Sequence, residues 1–427
     1  MTVLIVGAAV SGRAAMELAI GDGRDVVVYD DNPEALRQLP EGVRAVDAAT
    51  YRSVLPHVSL VVLSPGLPRD LEIVRFARSS GKRVLGETEF ALEHTETPYC
   101  AVTGTNGKTT VTGAAADMLV ASGQRARAVG NIGVPLSAVT GDPVDTFVIE
   151  MSSFQLETTT SFHPRAAAIT NIAADHLDAH GSFAAYAAAK AKIFENQTTE
   201  DLLTWDADDT GASAVVASAS GRQVPVSATR VPEGGNGVRD GEMIVGDWKF
   251  KAPDVGPAFT VDLLVAATVA RHMGASEAGV SSAIANFRPG AHRRERIAFI
   301  DGVTWVNDSK ATNPHAALAS IRSFGRVVLI AGGRNKGLDL APLPNEENVV
   351  MTIAIGESSS ELVASAAPGS IVEADSLATA ISIASTKAVP GDTVLLAPGC
   401  ASFDMFVSYV ERGDLFRELV TSMADER

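Results

Sequence analysis

The stretch Tyr99 to Val111, Y-C-A-V-T-G-T-N-G-K-T-T-V, most constrains what this chain can become. Cys100, Ala101 and Val102 read as the end of a buried strand, and Lys108-Thr109-Thr110 opens a helix. Between them Gly104 and Gly107 permit backbone turns in which N–H groups converge. With Thr105 and Asn106 they form a phosphate cradle at a helix N-terminus. Lys108 then sits against terminal phosphates, with the Thr109 hydroxyl on a magnesium ion. The full Walker pattern wants a glycine where this chain has Val102, so the loop is a shortened variant. A plain glycine-rich turn is the competing reading, and the Lys-Thr-Thr placement weighs against it.

A chain of 427 residues is too long for one ordinary core. Three domains are expected, over 1–96, 97–289 and 290–427. Thirty-five basic against 51 acidic residues leave a net charge of -16, which opposes non-specific attraction to nucleic acid or an anionic membrane. An anionic substrate must therefore be caught by local features such as helix N-termini, single Lys or Arg residues and metal ions. The two cysteines, Cys100 and Cys400, show no C-x-x-C spacing, so neither a zinc site nor a disulfide framework is suggested and a reducing cytoplasm fits. No apolar run approaches the ~20 residues that span a bilayer. Met1 to Val6 lacks a basic leader and breaks at Gly7, which reads as a first strand.

That strand is followed by Gly7-Ala8-Ala9-Val10-Ser11-Gly12, a helix over Arg13 to Ile20, and D-V-V-V-Y-D-D. Asp30 and Asp31 fall where a Rossmann-like unit places its ribose-binding carboxylate. The middle glycine of the dinucleotide fingerprint is Ala9 here, which weakens an NAD enzyme and favours a nucleotide diphosphate held more loosely. Strands Ser59 to Leu63 and Arg83 to Leu85 continue a small parallel sheet, with Ser64-Pro65-Gly66 at a strand end. A solvated turn explains the acidic pair nearly as well, and turn chemistry explains Ser64.

The α/β rhythm continues with helix Val111 to Ala121, Gly130-Asn131, strand Thr146 to Ile149 and then Glu150. A carboxylate at a strand tip in the same domain as a phosphate loop is where nucleotide-bound magnesium finds its protein ligand. Strand Ala166 to Thr170 ends in N-I-A-A-D-H-L-D, placing Asp175, His176 and Asp178 at another tip. Phe183 to Glu195 is a strong helix former with Lys190 and Lys192 on different faces, each readable as a solvated lysine. From Asp206 to Val255 antiparallel hairpins are expected, then a helix over Val261 to Met273. After a linker at Asn286 to Gly290, the basic run Ala291 to Arg296 offers Arg293 or a neighbour as a phosphate clamp. Strands Val303 to Val306, Arg326 to Ile330 and Thr393 to Leu396 end in N-D-S-K-A-T-N-P, A-G-G-R-N-K-G and A-P-G-C-A-S-F-D, which mark one binding face of a second Rossmann-like sheet.

Taken together, T-G-T-N-G-K-T-T, E-M-S-S-F-Q-L-E, D-H-L-D, N-D-S-K-A-T-N-P, A-G-G-R-N-K-G and C-A-S-F-D-M-F resemble the Mur ligases of peptidoglycan synthesis. S-S-F-Q-L-E and C-A-S-F-D, with the short N-terminal domain, point to the D-glutamate-adding branch. The resemblance implies an α/β fold with a Rossmann-like N-terminal domain, a P-loop-type central domain and a Rossmann-like C-terminal domain. It also implies an ATP- and magnesium-dependent ligase that joins D-glutamate to UDP-N-acetylmuramoyl-L-alanine through an acyl phosphate, as a cytoplasmic monomer.

By motif position the resemblance assigns residues. Lys108, His176 and Lys190 are catalytic, with Lys190 resembling a carbamylated lysine that supports a metal alongside Thr109, Glu150 and His176. Gly104 to Thr110, Arg293 and Asp308 look like ATP contacts. Gly7, Ser11, Gly12, Asp30, Asp31, Ser64, Asn131 and His176 resemble the UDP-substrate residues. Thr312, Lys336, Ser402, Phe403 and Tyr409 resemble the D-glutamate site, Tyr409 standing where the family often has Phe. Many members carry G-x-H-N-x-x-N before the long central helix, whereas Gly256 to Asp262 keeps only the glycine and an Asp in place of the last Asn, so an adenine contact at Asp262 is not implied. A sister ligase adding another amino acid, or a folate-extending one, shares the phosphate loop. A nucleotide-binding scaffold without catalysis would have little need for the Lys108, Glu150, His176 and Lys190 cluster.

Overall fold

The computed structural model describes residues 1–67 and 71–425. By packing, the chain divides into two units: Met1–Ile172, Ala187–Pro253 and Thr260–Asn286 form one, and Ala173–Tyr186, Asp254–Phe259 and Phe287–Arg427 the other.

The first unit holds two sheets. Strands β1 (Thr2–Val6), β2 (Asp25–Tyr29), β3 (Arg44–Val46), β4 (Val58–Leu63) and β5 (Arg83–Gly86) lie in the order β3-β2-β1-β4-β5, all parallel. Valine and leucine fill both faces of β1 and β4, as a parallel sheet covered on two sides requires. Order reverses between β1 and β4, which opens a crevice beyond their carboxyl ends. The helix after β1 begins at Val10 and runs to Gly21, earlier than the apolar pattern suggests, because Gly12 packs directly onto the preceding turn.

The second sheet contains β6 (Tyr99–Thr103), β7 (Ala126–Gly130), β8 (Thr146–Glu150), β9 (Ala166–Ile169), β10 (Leu202–Asp206), β11 (Arg222–Ser227), β12 (Asn236–Arg239), β13 (Glu242–Val245) and β14 (Trp248–Lys251). Its order is β14-β13-β12-β11-β10-β9-β6-β8-β7. The expectation of hairpins from Asp206 onward holds only for β12, β13 and β14; β10, β11 and β12 extend the parallel sheet. Helix Thr210–Val216 is the crossover that makes the β10–β11 pairing parallel. It is short and Ala/Ser-rich, so its apolar periodicity is weak. The first and second sheets are joined by two buried carboxylates on helix Glu87–Leu92: Glu87 accepts from the Ser137 backbone N–H at 2.8 Å, and Glu89 accepts from Thr160 N at 2.9 Å and Ser161 Oγ at 2.8 Å. Burial pushes the Glu87 carboxyl up, against the hydrogen bonds from Ser137.

In the second unit β15 (Glu295–Ile300), β16 (Val303–Asn307), β17 (Arg326–Gly332), β18 (Val349–Ile355), β19 (Ile371–Glu373) and β20 (Asp392–Leu396) lie in the order β15-β16-β20-β17-β18-β19. Only β15 is antiparallel to its neighbour. The basic run therefore leads into an edge strand, since Glu295 onward pairs with β16. Loops after β16, β17 and β20 gather at the carboxyl ends, and Arg334 and Ala401 exchange backbone hydrogen bonds that tie two of them together.

Candidate active site

The phosphate loop leaves the central strand β6 and enters helix Lys108–Ala121. Gly104 has φ +147, and a Cβ there would stand 1.8 Å from Thr170 Oγ1; Gly107 has φ +82, and its Cβ would stand 2.5 Å from Asp262 Oδ1. Both positions therefore need glycine, for backbone angle and for space. The loop is tied down from β9: Thr105 N donates to Asn171 O at 2.9 Å, Asn106 N donates to Asn171 Oδ1 at 2.9 Å, and Asn171 Nδ2 returns a bond to Asn106 O at 3.1 Å. The altered Asp262 lies buried behind the Gly107 turn.

Lys108 Nζ donates to Gly104 O and Thr105 O, both at 2.9 Å. Lys190, 1 % exposed, also donates to Gly104 O, at 2.7 Å. The solvated reading of Lys190 is thereby corrected: helix Phe183–Ala191 turns that side chain inward, while Lys192 donates to Thr159 O. Two ammonium groups on one carbonyl oxygen make a locally positive spot in an acidic protein.

Glu150 ends β8 and pairs in register with Val102 of β6, which sets it beside the phosphate loop. It is buried. Asn131 Nδ2 donates to its Oε1 at 2.8 Å, while Oε2 is buried with no hydrogen-bond partner among the described residues. A buried carboxylate oxygen without a donor is costly unless a cation completes it. Glu150 therefore fits a magnesium ion, which typically takes one or two carboxylates and fills its other positions with water and phosphate oxygens. Thr109 and Thr110 lie half-buried in the first turn of the helix that follows the loop.

The first-sheet residues meet at the β1/β4 crevice. Asp30 Oδ2 accepts from Ala8 N at 2.7 Å, and Ser64 Oγ donates to Gly7 O at 3.2 Å. Gly12 is forced, because a Cβ there would stand 1.8 Å from Gly7 O. Ser11 lies half-buried in the first turn of the helix. Asp31 is exposed and accepts from Tyr29 Oη at 2.6 Å. A cleft runs from Ser64 and Gly66 past Thr88 to Phe154, Gln155 and Thr158 of the second sheet's segment, so E-M-S-S-F-Q-L-E contributes to a cavity shared with the first sheet.

Within the second unit, Lys336 Nζ donates to Asp175 Oδ1 at 2.6 Å and Asn313 Nδ2 donates to Asp175 Oδ2 at 3.1 Å. Burial opposes ionisation of Asp175, but Lys336 and His176 hold its carboxyl below the ordinary value. His176 itself has left-handed backbone, φ 52. Thr312 is adjacent to Asn313; buried Ser402 accepts through its carbonyl from Met405 N and Phe406 N; Phe403 is 66 % exposed. Tyr409 carries the Lys310 ammonium 3.8 Å above its ring. Arg294 N donates to Asp308 Oδ1 at 3.2 Å; burial pushes the Asp308 carboxyl up, and the nearby Arg294 and Arg293 oppose this. His292 and Arg294 both hold positive φ in this basic turn, a strain that tertiary contacts must maintain.

Sequence reasoning did not reach Asn171, Glu87, Glu89 or the partnership of Asp175 with Lys336. Only Asn171 carried a local signal, an amide at a strand end. The others depend on pairings between residues 50 to 161 positions apart.

Residues 102–238 match the Mur ligase middle domain, and residues 292–400 match the glutamate ligase domain of Mur ligases. A UDP-N-acetylmuramoylalanine–D-glutamate ligase of Frankia casuarinae is 41% identical, covering 98% of this chain and 94% of the relative. The protein of the same description from Pelotomaculum thermopropionicum is 38% identical over 99% of this chain and 97% of its own length, and that from Mycobacterium avium 35% over 98% and 96%. Among solved structures, a pseudomurein peptide ligase type C from Methanothermus fervidus aligns with a TM-score of 0.63 at 16% identity, covering 99% of each chain. A UDP-N-acetylmuramate–alanine ligase from Thermotoga maritima aligns at 0.59 and 18%, covering 99% of this chain and 100% of that one.

Proposed function

The chain belongs to the Mur ligase family, and from that premise we propose that it joins the amine of D-glutamate to the alanyl carboxylate of UDP-N-acetylmuramoyl-L-alanine in peptidoglycan precursor synthesis, with ATP converted to ADP and phosphate. The observation that carries this is the 35–41% identity, over nearly the whole chain, to D-glutamate ligases. Residues 1–96, 97–289 and 290–427 are proposed to bind the UDP-sugar, ATP and the amino acid respectively.

A carboxylate is a poor acyl donor because oxide would have to leave. Its oxygen therefore attacks the γ-phosphorus of ATP, ADP departs, and an acyl phosphate results. The free amine of D-glutamate adds to the carbonyl carbon, phosphate leaves with the C–O bonding pair, and the amine's proton passes to solvent. Bringing a carboxylate to a polyphosphate is electrostatically uphill, so cations are needed there. Lys108, parked on Gly104 and Thr105 carbonyls, has the reach to exchange them for phosphate oxygens, and the amides of Gly104 to Thr110 cradle the chain of phosphates. Magnesium, held by Thr109 and Glu150 with His176 contributing, would neutralise charge on the phosphates. Arg293 and Asp308 are proposed ATP contacts.

Gly7, Ser11, Gly12, Asp30, Asp31, Ser64 and Asn131, with His176, are assigned to the UDP-sugar. Thr312, Lys336, Ser402, Phe403 and Tyr409 are assigned to D-glutamate. Burial of Lys190 beside a second ammonium supports its reading as a carbamate, since both features favour loss of the proton that CO2 addition requires. Mass spectrometry under native conditions with ¹³C-bicarbonate should reveal one labile adduct, absent in Lys190→Ala. The protein is proposed to act as a cytoplasmic monomer, consistent with two buried free cysteines; among the described residues no helix is long and apolar enough to cross a membrane.

The test is ADP release with purified UDP-N-acetylmuramoyl-L-alanine. D-glutamate should drive turnover. Turnover with L-lysine, meso-diaminopimelate or a folate but not D-glutamate would overturn the reading.

A further inference from the structure

We propose that Asp175 is a selectivity determinant for the amino acid: in the free protein its carboxylate occupies the carboxylate subsite at Lys336, and a substrate carboxylate must displace it. This rests on the assignment of Lys336 and Thr312 to the amino-acid site.

Asp175 is held at both oxygens. Oδ1 takes Lys336 Nζ at 2.6 Å and the His176 N–H at 2.9 Å, and Oδ2 takes Asn313 Nδ2 at 3.1 Å. The side chains of Asp175 and Lys336 are 8% and 19% exposed, so water screens the pair poorly. Lys336 and Asn313 come from two different strand-end loops of the third sheet, after β17 and after β16, where ligands of such sheets bind. Asn313 is also the N-cap of helix Pro314–Ile321, its Oδ1 accepting from Ala316 N at 2.9 Å. Its Nδ2 is thereby aimed, and the carboxylate lies near the positive end of that helix. The subsite is built from the C-terminal sheet; its occupant arrives from the separate segment Ala173–Tyr186.

A cation, an oriented amide and a helix N-terminus around one carboxylate are what a free dicarboxylic amino acid would meet. Exchange of one carboxylate for another conserves the charge of the cluster, so Lys336 is never left unpaired in a partly buried site. An amino acid that presents no carboxylate at this place cannot dislodge Asp175. Rejection of neutral and basic amino acids then follows from competition inside the protein. When D-glutamate takes the subsite, Asp175 and the turn Leu177–His180 behind it are released.

The experiment uses the full chain, with equilibrium binding of D-glutamate by calorimetry and KM and kcat by ADP release. Asp175→Asn keeps the shape and removes the competing charge. Its Kd and KM for D-glutamate should fall about tenfold, as expected if about a tenth of the wild-type molecules have the subsite open, and Asp175→Glu should restore wild-type values. In the wild type, D-glutamate should also raise hydrogen exchange of the Leu177–His180 amides, a readout that needs no variant. An unchanged or higher Kd in Asp175→Asn, or no change in exchange, overturns the proposal. Wild-type protein with no D-glutamate-dependent turnover would instead overturn the functional reading beneath it.

Discussion

At the end of β1 the chain turns through Gly7, φ +98, into helix Val10–Gly21; at the end of β6 it turns through Gly104 and Gly107 into helix Lys108–Ala121. Both turns sit where strand order reverses in a parallel sheet, and both rely on glycine because another backbone or side-chain atom occupies the space of a Cβ. They differ in charge. The first turn has a carboxylate, Asp30, on the Ala8 amide and the Ser64 hydroxyl on the Gly7 carbonyl. The second has two lysines on one carbonyl and a buried carboxylate oxygen without a donor among the described residues. The first turn is satisfied by its own protein. The second gathers cationic side chains beside a buried carboxylate, the setting in which the proposed ATP and magnesium would sit. A shared backbone solution therefore says little about chemistry, and the side chains set around it decide.

Several substitutions would break or sharpen this contrast. The largest effect is expected at the second turn: Lys108→Ala and Glu150→Gln should each lower kcat by about 10²–10³-fold while melting temperature stays near wild type, and an activity loss matched by unfolding would contradict the distinction. At the first turn the effect should be on the fold. Gly12→Ala places a methyl against Gly7 O and should cost about 3 kcal/mol or more in denaturant unfolding, with the backbone forced to shift. A smaller change is expected from Asp30→Ala, which strips the Ala8 amide of its acceptor, at about 1 kcal/mol of stability together with a raised KM for the UDP-sugar and an unaltered KM for ATP.

One further effect, seen only in the pH dependence of stability, lies away from both turns. Burial pushes the Asp206 carboxyl up to about 6, opposed by the Asp208 backbone N–H and aided by the negative charges of Asp208 and Asp209. A carboxyl whose folded pKa is raised favours the fold while protonated, so its contribution should fade as pH rises from about 4 to about 6. Asp206→Asn should flatten the pH dependence of stability across that window by about 1–2 kcal/mol.

Much of the candidate site was legible because it is local. G-T-N-G-K-T is a contiguous loop, Glu150 ends an apolar strand, and the three C-terminal loops follow Val- and Leu-rich runs. The region after Asp206 was less legible: a short Ala/Ser-rich crossover helix has no strong period, so a parallel extension of the sheet looked like hairpins. For Lys190 a solvated face stayed open beside the functional reading for a related reason. An alanine-rich helix such as F-A-A-Y-A-A-A-K-A carries little amphipathic contrast to show which face is buried.

By itself, the sequence determined the α/β class, the order of strands and loops, and the family, because hydrophobic period, glycine placement and contiguous motifs act over a few residues. Only the tertiary structure decided that Lys108 and Lys190 share the Gly104 carbonyl, that Glu150 keeps one buried oxygen without a donor among the described residues, and that Asp175 pairs with Lys336. Those facts depend on which distant side chains burial brings within hydrogen-bond reach. No local pattern encodes that distance.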